Sequence, residues 1–180
     1  MKRIFQLLVL SVLTAPMACS GCNEKANTKT EAIANYADIV LATYEDTLTT
    51  GKALDVALKT LVATPSQANL DAAKKAWLAA REPYLQTEVF RFYEGPIDNA
   101  KNGPEGLLNA WPMDENYIDY TVDKPGAGLI NDKAFAISAA NIEAANEAGG
   151  EKNVATGYHA IEFLLWGQDT SDTGPGARPY

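Results

Sequence analysis

The stretch IANYADIVLATYEDTLTTGKALDVALKTL, Ile33 to Leu61, decides the fold class. Its apolar and small residues fall at Ile33, Ala37, Val40, Tyr44, Thr47, Gly51, Leu54, Leu58 and Leu61, in alternating steps of four and three. Such steps draw one stripe along an α-helix, the seam of a helical bundle. At about 1.5 Å per residue the helix runs for about 45 Å. Thr64-Pro65-Ser66 interrupts it, and Ser66 is placed to cap a second helix over residues 67–93, kinked at Pro83. Glu94-Gly95-Pro96 ends that helix. Ile97 to Leu129 is rich in Gly, Pro, Asn and Asp, with short helical turns expected near Glu105 and Asn116. A loop of that length is functional or covers something. A third helix is expected over 132–148, closed by Gly149-Gly150, and a fourth over 154–166, capped by Asn153 and closed by Gly167. No period-two strand pattern persists. The expected architecture is an all-α, antiparallel up-and-down bundle.

Composition narrows the function. The chain has 180 residues, 47% hydrophobic and 21% charged, with a mean hydropathy of −0.17. That balance excludes a disordered protein, a collagen-like fibre and a multi-span membrane protein. Fifteen basic against 23 acidic residues give a net charge of −8, and no basic run exists to neutralise phosphates, so no nucleic-acid partner is expected. A single histidine excludes any metal site or proton relay needing two imidazoles from this chain.

The N-terminus has the layout of a secretory signal. Lys2 and Arg3 precede an apolar run from Ile4 to Leu13, then small residues and two cysteines, Cys19 and Cys22. A cysteine just after the apolar run points to a bacterial lipoprotein, with Cys22 favoured over Cys19 as the lipidated residue because Ser20-Gly21 precedes it; a plain cleaved signal is the alternative. Residues 1–22 are thus expected to be the signal and 23–31 a polar tether. Loss of Lys2 and Arg3 leaves 13 basic against 23 acidic residues, a net charge of −10.

Two stretches carry polar groups where a bundle resists them. Trp77, Arg81, Tyr84, Glu88 and Arg91 share one stripe of the second helix, beside the apolar set Leu78, Leu85, Val89 and Phe92. Charges beside a core seam must be paired, and Glu88 and Arg91, three residues apart, can meet. An edge ion pair is the simplest account. In the fourth helix HAIEFLLW is apolar all round except for His159 and Glu162. Their spacing puts both on one face, where ring nitrogen and carboxylate can converge on one cation or pair with each other. Gly157 leaves that face open to another backbone or a ligand. The pattern is not HExxH, so a zincin site cannot be built.

These residues carry a resemblance. GYHAIEFLLWGQD at Gly157–Asp169 and GPGARPY at Gly174–Tyr180 resemble the signature of the imelysin family, whose GxHxxE motif falls on Gly157, His159 and Glu162. Trp77, Arg81, Tyr84 and Glu88, the string FRFYEGPID at Phe90–Asp98, and NAWPMDENYIDY at Asn109–Tyr120 agree in the family's order. The resemblance implies two similar helical bundles with the motif near the cleft between them, so that 32–180 would be the first bundle of a longer molecule. It implies a link to iron, GxHxxE residues as metal ligands, and Arg81, Glu88 and Asp98 close to the His159 pair.

Three functions follow. The favoured one is an exported lipoprotein of the periplasm or outer membrane that binds a divalent metal, iron before zinc, for iron acquisition, with an iron-uptake partner. His159 and Glu162 would ligate, Glu88 would be a third ligand, and Arg81 or Arg91 would balance charge. The second is a metallopeptidase with Glu162 or Glu88 as general base. The third is a non-catalytic envelope binding module.

Overall fold

The structure, a computed structural model, describes residues 29–180. The signal region, Cys19, Cys22 and most of the expected tether lie outside the described residues. The first helix, α1 (Lys29–Ala63), already includes the last three tether positions. Then come α2 (Gln67–Gln86), a 3-10 helix (Thr87–Tyr93), α3 (Glu105–Asn109), α4 (Glu115–Ile118), α5 (Ala139–Ala145) and α6 (Gly157–Trp166). The described residues contain helices and turns and no strand. The all-α expectation holds.

α1 and α2 form an antiparallel hairpin. Ser66 caps α2 as expected, its Oγ accepting from the Asn69 N–H at 3.2 Å. From Val40 to Leu61 the α1 seam is buried or half-buried, with Leu54 at its centre against Leu70, Ala73 and Trp77 of α2. Ile33 and Ala37, at the start of the same stripe, are exposed. α1 is nearly twice as long as its partner, and its N-terminal part reaches the 3-10 helix, with Tyr36 edge-on to Phe90 at 5.6 Å.

Pro83 acts one turn later than expected. The α-helix continues past it to Gln86 and then tightens into the 3-10 segment. Proline supplies no N–H to the turn before it, and the Thr87 hydroxyl bonds back to the Tyr84 carbonyl at 2.6 Å, favouring the tighter three-residue step. Which side of α2 faces inward is also a correction. The stripe bearing Trp77 and Tyr84 is the buried one, while Leu78, Leu85, Val89 and Phe92 are exposed. The aromatic rings bury more apolar surface than the aliphatic set, and they face α6, where Tyr158 and Trp166 complete a cluster of edge-to-face contacts around Trp77.

The alanine-rich third helix is shorter than expected, confined to Ala139–Ala145. Asp132 folds its own turn, with its side chain accepting from the Ala134 N–H, and Ser138 starts the helix by accepting from the Asn141 N–H. Asn146 ends it, because its Oδ1 accepts from the N–H groups of Ala155 and Thr156. Asn146 thereby does for the approach to α6 what Asn153 was expected to do. Asn153 donates to the Ala148 carbonyl instead, and α6 begins at Gly157 rather than Val154.

The C-terminal segment is locked to α4 and α6. Arg178 donates its backbone N–H to the Trp166 carbonyl and its Nη1 to Asp119 Oδ2 at 2.5 Å, and its guanidinium lies over the rings of Tyr120 and Phe163. Both side chains of the pair are nearly covered, 13% and 8% exposed. Removing one member of such a pair strands the other. Arg178→Met is expected to lower the unfolding free energy by about 3–5 kcal/mol, and the double change with Asp119→Asn to cost less than Arg178→Met alone. Urea denaturation of the three variants measures both.

Candidate functional site

The site grows from the contact between α2 and α6. The Trp77 indole N–H donates to the Tyr158 carbonyl at 2.9 Å, and the Tyr158 hydroxyl donates to the Ala80 carbonyl at 3.2 Å. All three residues are buried. This clamp sets Arg81, the next residue on α2, beside His159, the next residue on α6. Gly157 makes the approach possible: its φ is +83°, and a Cβ there would collide with the Leu108 carbonyl behind α3. The expected open face is therefore filled by another stretch of backbone.

His159 is held at both nitrogens. Its Nδ1 lies 3.2 Å from Glu162 Oε2, and Arg81 Nη2 lies 3.4 Å from its Nε2. A guanidinium only donates. Nε2 therefore accepts from Arg81, and the ring proton sits on Nδ1, directed at Glu162. The Trp111 ring packs against the imidazole, centroids 4.7 Å apart. Arg81 is itself fixed: Nη1 donates to Asn109 Oδ1 at 2.5 Å, and the guanidinium lies over the rings of Tyr84 and Tyr158.

From Asn109 a polar line continues away from the imidazole. Its Nδ2 reaches Glu105 Oε1 at 3.5 Å, the same oxygen that Arg91 Nη2 meets at 2.5 Å. Arg91 Nε also donates to Asp98, whose side chain is only 8% exposed, at 3.1 Å. Burial lowers the Arg91 pKa, but Glu105 and Asp98 outweigh it and leave it raised. Glu88 stands at this far end, 4.0 Å from Arg91, with half its side chain exposed. Of the residues singled out from the sequence, Arg81, His159 and Glu162 meet directly, whereas Arg91, Asp98 and Glu88 form a separate group linked to them through Asn109 and Glu105. No three His, Cys, Asp or Glu among the described residues form a group of metal-binding size.

Beside the imidazole opens a cleft of about 500 Å³. Trp77, Trp111, Phe163 and Trp166 wall it, and His159, Glu115, Glu162 and Asp169 bring polar groups to it. Burial, with Asp114 and Asp169 nearby, pushes the Glu115 carboxyl above its ordinary value against the pull of Arg178. Sequence reasoning did not single out Asn109, Trp111, Glu105, Glu115 or Asp169. Asn109 and Trp111 stand inside the NAWPMDENYIDY block, and a polar amide beside a tryptophan in an otherwise loop-like stretch was the available signal. For a divalent cation the His159–Glu162 pair fits one edge of a coordination shell. It supplies one imidazole and one carboxylate, the latter 44% exposed toward the cleft.

The model of the imelysin family, a family also designated peptidase M75, matches residues 40–180. The iron-regulated protein A of Synechococcus elongatus is 32% identical over 149 residues, which cover 82% of this chain and 35% of that protein. The chain spans about a third of the length of the curated relative it matches. It belongs to the imelysin family.

Two outcomes test the geometry. Gly157→Ala combines a left-handed backbone with a collision against fixed backbone, so it should lower stability by at least about 1–3 kcal/mol, read as a drop in the urea midpoint. Glu115, with its folded-state pKa raised, opposes folding only when ionised. The cost is absent below the ordinary value of 4.5 and appears as pH climbs through the raised folded-state value. Glu115→Gln should therefore raise the melting temperature at neutral pH and leave it unchanged well below 4.5.

Proposed function

We propose that this member of the imelysin family is the cleft-bearing helical part of an exported, lipid-anchored envelope protein that binds a divalent metal, iron before zinc, for iron acquisition. The observation that carries the reading is the His159–Glu162 pair, 3.2 Å apart on the wall of an acid-lined cleft. The iron-regulated name of the relative supports the choice of metal. So does the donor chemistry, since one imidazole among carboxylates suits a hard or borderline cation better than a thiolate site would. The secretory layout of residues 1–22, with Cys22 or Cys19 as the lipidated residue, supports the location.

In this reading His159 and Glu162 hold the metal cargo from one side. Glu115 and Asp169 add negative potential along the cleft and favour entry of a cation. Waters or groups from outside this pair complete the shell. Trp111 and Trp166 shield one flank from solvent and strengthen the local field. Asn109 holds Arg81, whose guanidinium meets the Nε2 side of the imidazole. Glu88 serves Arg91 and lies away from the cargo.

Anaerobic equilibrium dialysis with Fe²⁺ tests the proposal. Wild type is expected to bind at least about tenfold more tightly than His159→Ala, in line with the loss on disturbing a metal site. Equal retention of Fe²⁺ by the two proteins would contradict it.

A further inference from the structure

We propose that Arg81 is a brake on metal binding: its guanidinium occupies the imidazole lone pair of His159, and a cation gains that nitrogen only by displacing it. The inference rests on the metal-binding reading above and specifies how the site is regulated.

A metal needs an unprotonated ring nitrogen with a free lone pair. Neither nitrogen of His159 meets both conditions as it stands. Its Nε2 lone pair is engaged by Arg81 Nη2 at 3.4 Å, and its Nδ1 carries the proton directed at Glu162 Oε2 at 3.2 Å. The Nδ1 route would suit a chelate, because Glu162 lies on that side. It requires the proton to move to Nε2, where an N–H would face the guanidinium N–H and set donor against donor. The Nε2 route requires Arg81 itself to leave. Arg81 therefore opposes coordination at either nitrogen.

The obstacle is built in rather than casual. Arg81 is held by Asn109 at 2.5 Å and by the faces of Tyr84 and Tyr158, at 5.6 and 5.3 Å from the ring centroids. Its positive charge also stands next to the place a divalent cation would occupy, adding repulsion to the occupied lone pair. A ligand that drew Asn109 or Arg81 aside would free Nε2 and couple its own arrival to metal uptake. The groups facing the imidazole in the structure are Arg81, Glu162 and Trp111, and only Arg81 is a cation.

Calorimetric titration of the whole chain with Zn²⁺, an air-stable probe of the same site, tests the brake through Arg81→Met. The thioether chain keeps packing on the two tyrosine rings and removes the donor. A hydrogen bond to a charged group is strong enough that its removal should tighten Zn²⁺ binding by roughly tenfold or more. Adding His159→Ala should abolish the gain. Unchanged or weaker binding by Arg81→Met, with His159→Ala still weakening the wild type, would overturn the brake and leave the metal-binding reading standing. Zn²⁺ binding indifferent to both substitutions would overturn both. The second measurement needs no variant: with a single histidine in the chain, the imidazole ¹⁵N spectrum of the wild type reports one ring. A proton on Nδ1 supports the proposal, and a proton on Nε2 overturns it even if Arg81→Met fails to fold.

Discussion

The hydrogen bond from the Trp77 indole to the Tyr158 carbonyl is the constraint on which the rest of the structure depends. It joins two helices separated by 81 residues, inside a cluster where both partners are buried. An indole N–H left unpaired in that setting would cost about 1–3 kcal/mol, so one polar demand favours this register of α2 against α6. The Tyr158 hydroxyl bonding to Ala80 locks the same register a second time. Once it is set, Arg81 and His159 have no choice but to be neighbours. Gly157 is the geometric condition for this, since any larger residue would push α6 off the backbone of α3.

The arginines of α2 and of the 3-10 helix beyond it are both paired. Arg81 sits over two tyrosine rings and Arg91 between Asp98 and Glu105, so each guanidinium beside the core has partners that satisfy its forked donors. Asn109 bridges the two groups with its amide, accepting from Arg81 and donating toward Glu105. Through Arg81, this one neutral residue links the imidazole to the cluster of charges around Arg91. The long loop that supplies Glu105, Asn109 and Trp111 is the cover its length and composition imply.

How much of this is legible in sequence depends on whether the signal is local. The Ser66 cap, the α1 seam from Val40 to Leu61, the short turns at Glu105 and Glu115, and the isolation of His159 and Glu162 on one apolar helix are all decided within a few residues, and the structure agrees with each. The facing of α2 is not local. Periodicity defines two stripes, but only α6 decides that Trp77 and Tyr84 go inward while Leu85 and Val89 stay exposed. The end of α5 fails for a similar reason. Asn146 is an ordinary alanine-helix neighbour in sequence, and only the return of the chain at Ala155 and Thr156 gives its side chain a better use. Glu88 meets Arg91 as their three-residue spacing allows, but nothing local says that this pair stands apart from the imidazole. The lone-pair contact of Arg81 on His159 joins residues 78 positions apart, and only the family resemblance, not spacing, brings the two together.

At the centre stands a histidine whose two nitrogens are both engaged, on the wall of an acid-lined cleft. Anomalous diffraction from crystals of the chain soaked in Zn²⁺ tests it most directly. The account predicts an anomalous peak within bonding distance of an imidazole nitrogen and of Glu162, about 2.0–2.2 Å, with the Arg81 guanidinium withdrawn from Nε2. Zinc bound to the imidazole while Arg81 keeps its hold on Nε2, or bound at ligands that exclude His159, would contradict it.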